Sequence, residues 1–309
     1  MKKLSTLFFL LVTTLSYAQV KTLAEKLGYS KTDKLLIIHA DDIGLSHSEN
    51  VATISSMTDG FVNSTSIMMP CSWSTEVGEI IKDHPNLDIG VHITLTNEWF
   101  NYKWGPMAGD VPGLAGPDGF MYPDCASVAK NASPEEVEKE MRAQIEAAIR
   151  IGIKPTHLDS HMGCVFYGRP EYVASYLKLA KEYGFPAMVV PQMVDTIIKA
   201  NPLLFKGIDV DNLPVIDQVV SASPTAYDER GMEGYYTDLM NNLSPGITAL
   251  LIHVAYDNDE MKAVTVRHPY WNSPWRQADY DFFTSGQGRK LIIDNNIKLV
   301  TWREIGAIN

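Results

Sequence analysis

The sequence predicts an α/β fold in which a parallel sheet of about seven or eight strands closes into a barrel within a single domain. Short apolar runs of strand length alternate along the chain with segments of helical period. Parallel strands need right-handed crossovers, and crossovers that repeat this often tend to close the sheet. The composition, with 45% hydrophobic and 20% charged residues, fits a globular domain. A doubly wound open sheet is the alternative fold.

The first 18 residues have the pattern of a secretory signal peptide. Two lysines precede an apolar run over residues 4–15, and Ser16-Tyr17-Ala18 then forms a small-x-small cleavage site. We expect cleavage after Ala18, which leaves residues 19–309 as the mature domain. A transmembrane anchor is the alternative, but a spanning helix needs roughly 20 apolar residues. The mature protein is therefore expected to be periplasmic or secreted, without a membrane anchor.

The net charge limits the classes of binding partner, and the cysteine content limits the possible disulfides. The net charge of −11, without a basic cluster, argues against nucleic acid or an anionic membrane surface as a partner. Three cysteines, Cys71, Cys125 and Cys164, are too few for a disulfide framework. One bridge or three free thiols are both compatible with the sequence, and the oligomeric state stays open.

In the first half of the mature chain, the apolar run from Lys34 to His39 predicts a buried strand that ends at Asp41-Asp42. The clearest helix starts at a capping box on Ser133, with proline at the next position. The other predicted elements are helices over 46–58 and 75–82, strands over 64–69 and 87–95, and a long loop over 97–124. A loop of that length is usually functional.

In the second half, a strand over 154–161 carries His157, Asp159 and His161 at alternate positions. These side chains point the same way if the strand stays extended that far. A buried strand over 247–253 ends at His253. The other predicted elements are helices over 171–183 and 228–242, strands over 187–190, 215–220 and 297–301, and a final helix begun by a capping box at Ser273.

Five side chains with acid–base or metal-binding chemistry lie at or just beyond the carboxyl ends of predicted strands: Asp41, Asp42, His92, His161 and His253. A barrel brings such positions to one rim. A single histidine there is usually a hydrogen-bonding residue, but the whole set favours a metal site. Two imidazoles and one carboxylate leave a position open for water, as in catalytic zinc sites. The second aspartate could then accept a proton from that water.

Three segments around these residues resemble the motifs of the YdjC-like (ChbG/HpnK) carbohydrate deacetylases. His39-Ala-Asp41-Asp42-Ile-Gly44 is similar to the family's Ala-Asp-Asp-Phe-Gly, and Gly90-Val-His92-Ile-Thr-Leu95 to its Gly-x-His-x-x-Leu. Pro155-Thr-His-Leu-Asp-Ser-His161 is similar to its Pro-Thr-His-Leu-Asp-Ser-His. The three segments occur in the family's order, and with a weaker match near His253 they span nearly all of the mature chain.

The resemblance implies a distorted (β/α) TIM-like barrel that removes the N-acetyl group of an amino sugar in an oligo- or polysaccharide. It implies one divalent metal ion, zinc or magnesium, bound by Asp42, His92 and His161, with Asp41 as general base. His253 is our candidate for the general acid, because imidazole titrates near neutral pH. Two stretches depart from the family pattern: Met162-Gly163, where further histidines are common, and His253-Val254-Ala255, where the family commonly has His-Pro-Gly.

Two other functions fit the same residues. One is a metal-dependent hydrolase of a phosphoester or glycosidic bond, although a glycosidase needs carboxylates roughly 5–9.5 Å apart on opposite sides of the bond. The other is a secreted carbohydrate-binding protein without turnover. Aromatic residues in the loops after His92 and His253 could stack on sugar rings or pack the loops. They are Trp99, Phe100, Tyr102, Trp104, Tyr256, Tyr270, Trp271 and Trp275.

Overall fold

The computed structural model describes residues 21–308. The predicted signal peptide, residues 1–18, lies outside this range, so its prediction is not addressed by the structure. Among the described residues, no helix combines the length and the apolar character that crossing a membrane requires.

Seven strands in the described range form one parallel sheet. They are β1 (Lys34–Ile43), β2 (Ser64–Ile67), β3 (Ile89–Ile93), β4 (Leu158–Ser160), β5 (Gln218–Ser221), β6 (Gly246–Ile252) and β7 (Ile297–Leu299). Their order is β4-β3-β2-β1-β6-β5, and β7 pairs with the first part of β1. The longest strand, β1, is therefore central and is buried over almost its whole length.

Isolated bridges join the two edges of the sheet. Leu158 of β4 bridges Ala187, and Val189 bridges Val215, which lies three residues before β5. The ring of strands thus closes, which confirms the predicted barrel and excludes the open sheet. Three predicted strands were partly wrong. The segment 187–190 forms only these bridges, the strand predicted over 215–220 begins at Gln218, and the strand predicted over 154–161 is limited to Leu158–Ser160.

Helices surround the barrel. They are α1 (Leu23–Lys26), α2 (His47–Thr58), α3 (Ser74–Ile80), α4 (Cys125–Asn131), α5 (Pro134–Arg150), α6 (Cys164–Tyr167), α7 (Pro170–Tyr183), α8 (Pro191–Met193), α9 (Pro224–Asn241), α10 (Asp259–Val264), α11 (Ser273–Thr284), α12 (Gly286–Asp294) and α13 (Trp302–Gly306). Short 3₁₀ turns cover Pro112–Leu114, His161–Gly163 and Val210–Asn212, and Val194–Ile198 is a π turn.

The observed N-caps of two helices can be compared with the predicted helix starts. Ser133 and Glu136 form the predicted capping box of α5. The capping box predicted at Ser273 was wrong, because Asn272 is the N-cap of α11 and its side chain accepts the backbone N–H of Trp275. An asparagine oxygen serves a cap as well as a serine does, so the neighbouring residue took the role. Helix α12 was not predicted.

The structure shows which of the three cysteines form a disulfide. Cys125 and Cys164 form a disulfide that joins α4 to α6 across a sequence separation of 39 residues. Cys71 is a buried free thiol. The bridge lies close to the predicted site, because Cys164 ends the turn that starts at His161.

The side chains on the inner face of β1 change in polarity along the strand. Side chains alternate along a strand, so Leu35, Ile37, His39 and Asp41 share the inner face. Leu35 and Ile37 belong to an apolar cluster with Trp302 at the amino ends of the strands. His39 instead forms hydrogen bonds with polar side chains of β2 and β4. The barrel interior therefore changes from apolar at the amino ends to polar at the carboxyl ends.

Candidate active site and metal centre

The two aspartates lie at the end of β1, where the strand loses its regular geometry. Asp42 has a φ of 71°, and the pairing of β1 with β2 shifts between Ala40 and Ile43. In a regular strand, neighbouring side chains point to opposite faces. The left-handed backbone at Asp42 removes that constraint, and both carboxylates face the same rim of the barrel.

Asp42, His92 and His161 meet at this rim, and all three are buried. The Oδ1 atom of Asp42 lies 3.4 Å from Nε2 of His92 and 3.2 Å from Nδ1 of His161. The three candidate ligand atoms lie within 4.8 Å of one another. Among the described residues, Oδ1 of Asp42 has no hydrogen-bond partner. A buried carboxylate oxygen left free between two imidazole nitrogens fits a bound cation.

His161 reaches the rim by a different route from the one predicted. Strand β4 ends at Ser160, and His161 begins a 3₁₀ turn. Met162 and Gly163 in that turn have φ values of 53° and 67°. Strand alternation therefore does not orient His161; the turn does.

Each candidate ligand histidine has a carboxylate on its other nitrogen. Asp159 Oδ1 lies 3.0 Å from His92 Nδ1, and Glu98 Oε2 lies 3.0 Å from His161 Nε2. Carboxylates in this position fix the ring and make the facing nitrogen a better metal ligand. Burial alone lowers the pKa of His161, but the charges of Glu98 and Asp42 outweigh burial and raise it to about 9. Glu98 was not predicted; it stands alone in a long loop without a pattern.

Asp41 lies beside the three candidate ligands and contacts two other histidines. Its Oδ1 atom is 3.2 Å from Nε2 of His39, and its Oδ2 atom is 3.9 Å from Nε2 of His253. The His39 ring also contacts Oδ2 of Asp159 at 2.9 Å. Burial opposes the charged ring, yet Asp159 and Asp41 raise the pKa of His39 to about 9. His39 therefore carries a proton between two carboxylates.

Two further sets of side chains have metal-compatible spacing: Asp41, His92 and Asp159, and His39, His157 and Asp159. Both sets need Asp159, whose Oδ2 atom accepts hydrogen bonds from His39 and from Ser66 and whose Oδ1 atom lies against Nδ1 of His92 at 3.0 Å. His157 stacks on Trp302 with ring centroids 5.0 Å apart, and burial lowers its pKa well below the usual range. The set with Asp42 is thus favoured for a cation.

His253 follows β6 and is partly buried at the same rim, with 17% of its side chain exposed. Its Nε2 atom lies 3.9 Å from Oδ2 of both Asp41 and Asp42. Burial lowers the pKa of His253 to about 4, so the ring is neutral at pH 7. Its backbone N–H donates to Oδ2 of Asp279 at 2.9 Å. All five predicted site residues are therefore adjacent, although their roles stay predictions.

The predicted aromatic residues divide by exposure. Trp99, Trp104 and Trp275 are buried, so they pack the loops. Phe100 is 52% exposed, and the guanidinium of Arg267 lies 4.0 Å from its ring centroid. Of these four rings, only Phe100 has a large accessible surface.

Comparisons with known proteins show which family the chain resembles over most of its length. The family profile described as "YdjC-like protein" matches residues 35–294. A carbohydrate deacetylase of Thermus thermophilus is 31% identical over 294 residues, which cover 92% of this chain and 97% of the relative. A carbohydrate deacetylase of Brevibacillus brevis is 27% identical over 271 residues, covering 88% and 99%.

A solved structure shares the fold. It is the crystal structure of a protein of Enterococcus faecalis V583 that is named for cellobiose-phosphate cleavage. The TM-score is 0.72 at 22% sequence identity, and the match covers 88% of this chain and 99% of the other.

Proposed function

This chain belongs to the YdjC-like protein family, and from that premise we propose that it is a metal-dependent deacetylase that removes the N-acetyl group of an amino sugar in an oligo- or polysaccharide. Its curated relatives are carbohydrate deacetylases, so the chain is a hydrolase that acts on a non-peptide carbon–nitrogen bond. The metal, the sugar and the residue roles below are parts of the proposal.

One observation carries the metal dependence: the buried, unpartnered Oδ1 of Asp42 between the nitrogens of His92 and His161. Two imidazole nitrogens and one carboxylate oxygen suit zinc better than magnesium, which prefers oxygen ligands. Magnesium stays open because of the family resemblance. When bound, the divalent cation supplies Lewis acidity, which polarises the acetamide carbonyl and lowers the pKa of water toward ~7.

Asp41 is the proposed general base. Its carboxylate lies next to the three candidate ligands without being needed as one of them, so it is free to take a proton from the attacking water. Its neighbour His39, held by Ser64 and Asp159, lies 3.2 Å from one of the two carboxylate oxygens. The other oxygen faces His253.

His253 is the proposed general acid for the departing amine. The ring is neutral in the resting site, so it must gain its proton during turnover. Asp41 Oδ2 lies 3.9 Å from His253 Nε2, beyond direct hydrogen-bond distance, so a proton taken up by Asp41 would pass to the ring through one bridging water. An imidazolium with a pKa lowered to about 4 would be a strong donor to the amine nitrogen.

The alternatives fit this site less well. Asp41 and Asp42 are adjacent in the chain, and both carboxylates lie at one rim of the barrel beside His253, whereas a glycosidase needs its two carboxylates on opposite sides of the scissile bond. A binding protein would need exposed aromatic surface, but not a buried set of one carboxylate and two paired imidazoles. The disulfide and the predicted signal peptide support export to an oxidising compartment and a substrate met there.

The test is acetate release from a panel of N-acetylated oligosaccharides by protein that has been stripped of metal and resupplied with Zn²⁺, Mg²⁺, Mn²⁺ or Co²⁺. We expect acetate release only with metal and without shortening of the oligosaccharide. Shortened products would favour the glycosidase, and metal-independent binding without any acetate would favour the binding protein.

A further inference from the structure

We infer that Arg276 is a positioning residue that holds one oxygen of Asp42, so that only the other oxygen is available to the cation, and that Glu49 keeps Arg276 in this geometry. The inference rests on the proposed metal site. It concerns two residues that lie outside the three family-like segments and that no sequence pattern indicated.

Each of the three nitrogens of the Arg276 guanidinium has a hydrogen-bond partner. Nη2 donates to Oδ2 of Asp42 at 2.8 Å, and Nη1 lies 2.7 Å from both carboxylate oxygens of Glu49. Nε donates to the backbone carbonyl of Trp271 at 2.9 Å. Arg276 and Asp42 are 1% exposed and Glu49 is 0% exposed. No bulk water is available to replace a contact that is lost.

The partners explain why the contact with Asp42 is a single hydrogen bond. A guanidinium and a carboxylate usually pair through two parallel hydrogen bonds, which would occupy both oxygens of Asp42. Here Glu49 takes Nη1 and Trp271 takes Nε, so Arg276 offers Asp42 only Nη2. The Oδ1 atom of Asp42 therefore stays free to face His92 and His161.

The positive charge of Arg276 also supports the role of Glu49. Arg276 lies between the carboxyl groups of Asp42 and Glu49, so its positive charge is shared by two acceptors and is not directed at Asp42 alone. If Glu49 were absent, Nη1 of Arg276 would be available to pair with Oδ1 of Asp42, the oxygen that faces His92 and His161. Glu49 thus keeps this oxygen free.

Four elements build this arrangement. Asp42 ends β1, Glu49 lies in the first turn of α2, and Arg276 lies in the first turn of α11. The indole of Trp99, in the loop after β3, lies 5.5 Å from the guanidinium carbon. The surrounding fold therefore restricts Arg276 to this one position.

The test compares Zn²⁺ affinity, measured by competition with a chromophoric chelator, for the wild type, Arg276→Met, Arg276→Lys and Glu49→Gln. The matched control is Arg142→Met, which removes an arginine paired with Glu182 on the surface. We expect Arg276→Met to lose about 10- to 100-fold in affinity. Lysine keeps the positive charge but lacks the planar guanidinium with its several N–H donors. Arg276→Lys should therefore retain more Zn²⁺ affinity than Arg276→Met. Glu49→Gln should also bind Zn²⁺ more weakly, and the control should be unchanged.

A second readout reports the coordination directly. Co²⁺ in place of Zn²⁺ has a visible absorption spectrum that depends on the number of ligand atoms, and Arg276→Met should change it because both oxygens of Asp42 become available. Unchanged affinity and an unchanged spectrum in folded Arg276→Met would overturn the inference. If that variant does not fold, the same two measurements on Glu49→Gln decide. A wild type that binds no divalent cation would instead overturn the proposed metal site.

Discussion

Asp41 and Asp42 have the same chemistry and adjacent positions, but different neighbours. Asp42 faces His92 and His161 with one oxygen and Arg276 with the other. Asp41 lies between His39 and His253. Different neighbours predict different losses on substitution.

Asp41→Asn should abolish acetate release while the protein still binds Zn²⁺ with near wild-type affinity. The amide keeps the shape of the side chain but cannot accept the proton of water. General acid–base catalysis contributes typically 10²–10⁴-fold, so the rate should fall by about that factor. Activity and metal content, measured on the same sample, check this.

Asp42→Asn is the matched control, because it should lose metal and activity together. A normal rate in Asp41→Asn would show that the base is another group. Loss of metal in Asp41→Asn would instead place Asp41 among the ligands, as in the set formed by Asp41, His92 and Asp159.

Gly90 in β3 leaves space for the buried ring of His157, which directly precedes β4. A Cβ at Gly90 would lie 2.4 Å from two ring atoms of His157, closer than real side-chain contacts. The His157 ring is held on its other side by Trp302. The absence of a side chain at residue 90 therefore makes room for a buried histidine two residues before Asp159.

Gly90→Ala should lower the free energy of unfolding by about 1–3 kcal/mol, the usual cost of overpacking a core. Denaturant unfolding of Gly90→Ala, His157→Ala and the double variant measures it. The cost of the alanine should be smaller when His157 is already truncated. Equal costs in both backgrounds would mean that the ring is not what Gly90 accommodates.

The disulfide joins two short helices next to the turn that carries His161. Its closed loop of about 39 residues predicts a contribution of about 4 kcal/mol to the free energy of unfolding. Cys125→Ser/Cys164→Ser should lose about that amount in denaturant unfolding, and reductant should no longer affect it.

Cys71→Ala is the control for the loss of a cysteine elsewhere in the chain. It keeps the bridge and should remain sensitive to reductant. If reductant leaves the wild type unchanged as well, the bridge does not stabilise the fold.

Over the whole molecule, the barrel gathers buried charge at one rim and places apolar residues at the other. Histidines and carboxylates without a cation leave oxygens such as Asp42 Oδ1 buried and unpaired, which costs stability. A cation that binds only the folded state recovers that cost.

Metal removal should therefore lower the thermal midpoint. At a Zn²⁺ concentration 100 times its Kd, binding stabilises the folded state by about 2.7 kcal/mol, which corresponds to about 4–5 °C for a domain of this length. Calorimetry with Zn²⁺ and with chelator measures the shift, and Asp42→Asn should show none. Equal shifts in both proteins would locate the stabilising ion at a different site.

The residues of the site were predictable to different degrees. Asp41, Asp42, His92 and His253 stand beside apolar strands, a local pattern that is visible in the chain. Glu98, Glu49 and Arg276 have no such pattern: Glu98 lies in an irregular loop, and Arg276 lies among aromatic residues at a helix start. They become functional candidates only through their contacts.

The sequence by itself determined the alternation of strands and helices, the barrel and the five residues at its rim, because burial and side-chain period are local properties of the chain. Only the tertiary structure decided which partner each of these residues has. The left-handed backbone at Asp42, the 3₁₀ turn at His161 and the pairing of Arg276 with Asp42 and Glu49 depend on contacts between segments as far apart as 234 residues. Such contacts leave no periodic trace, since they form only when the barrel brings the ends of its strands together.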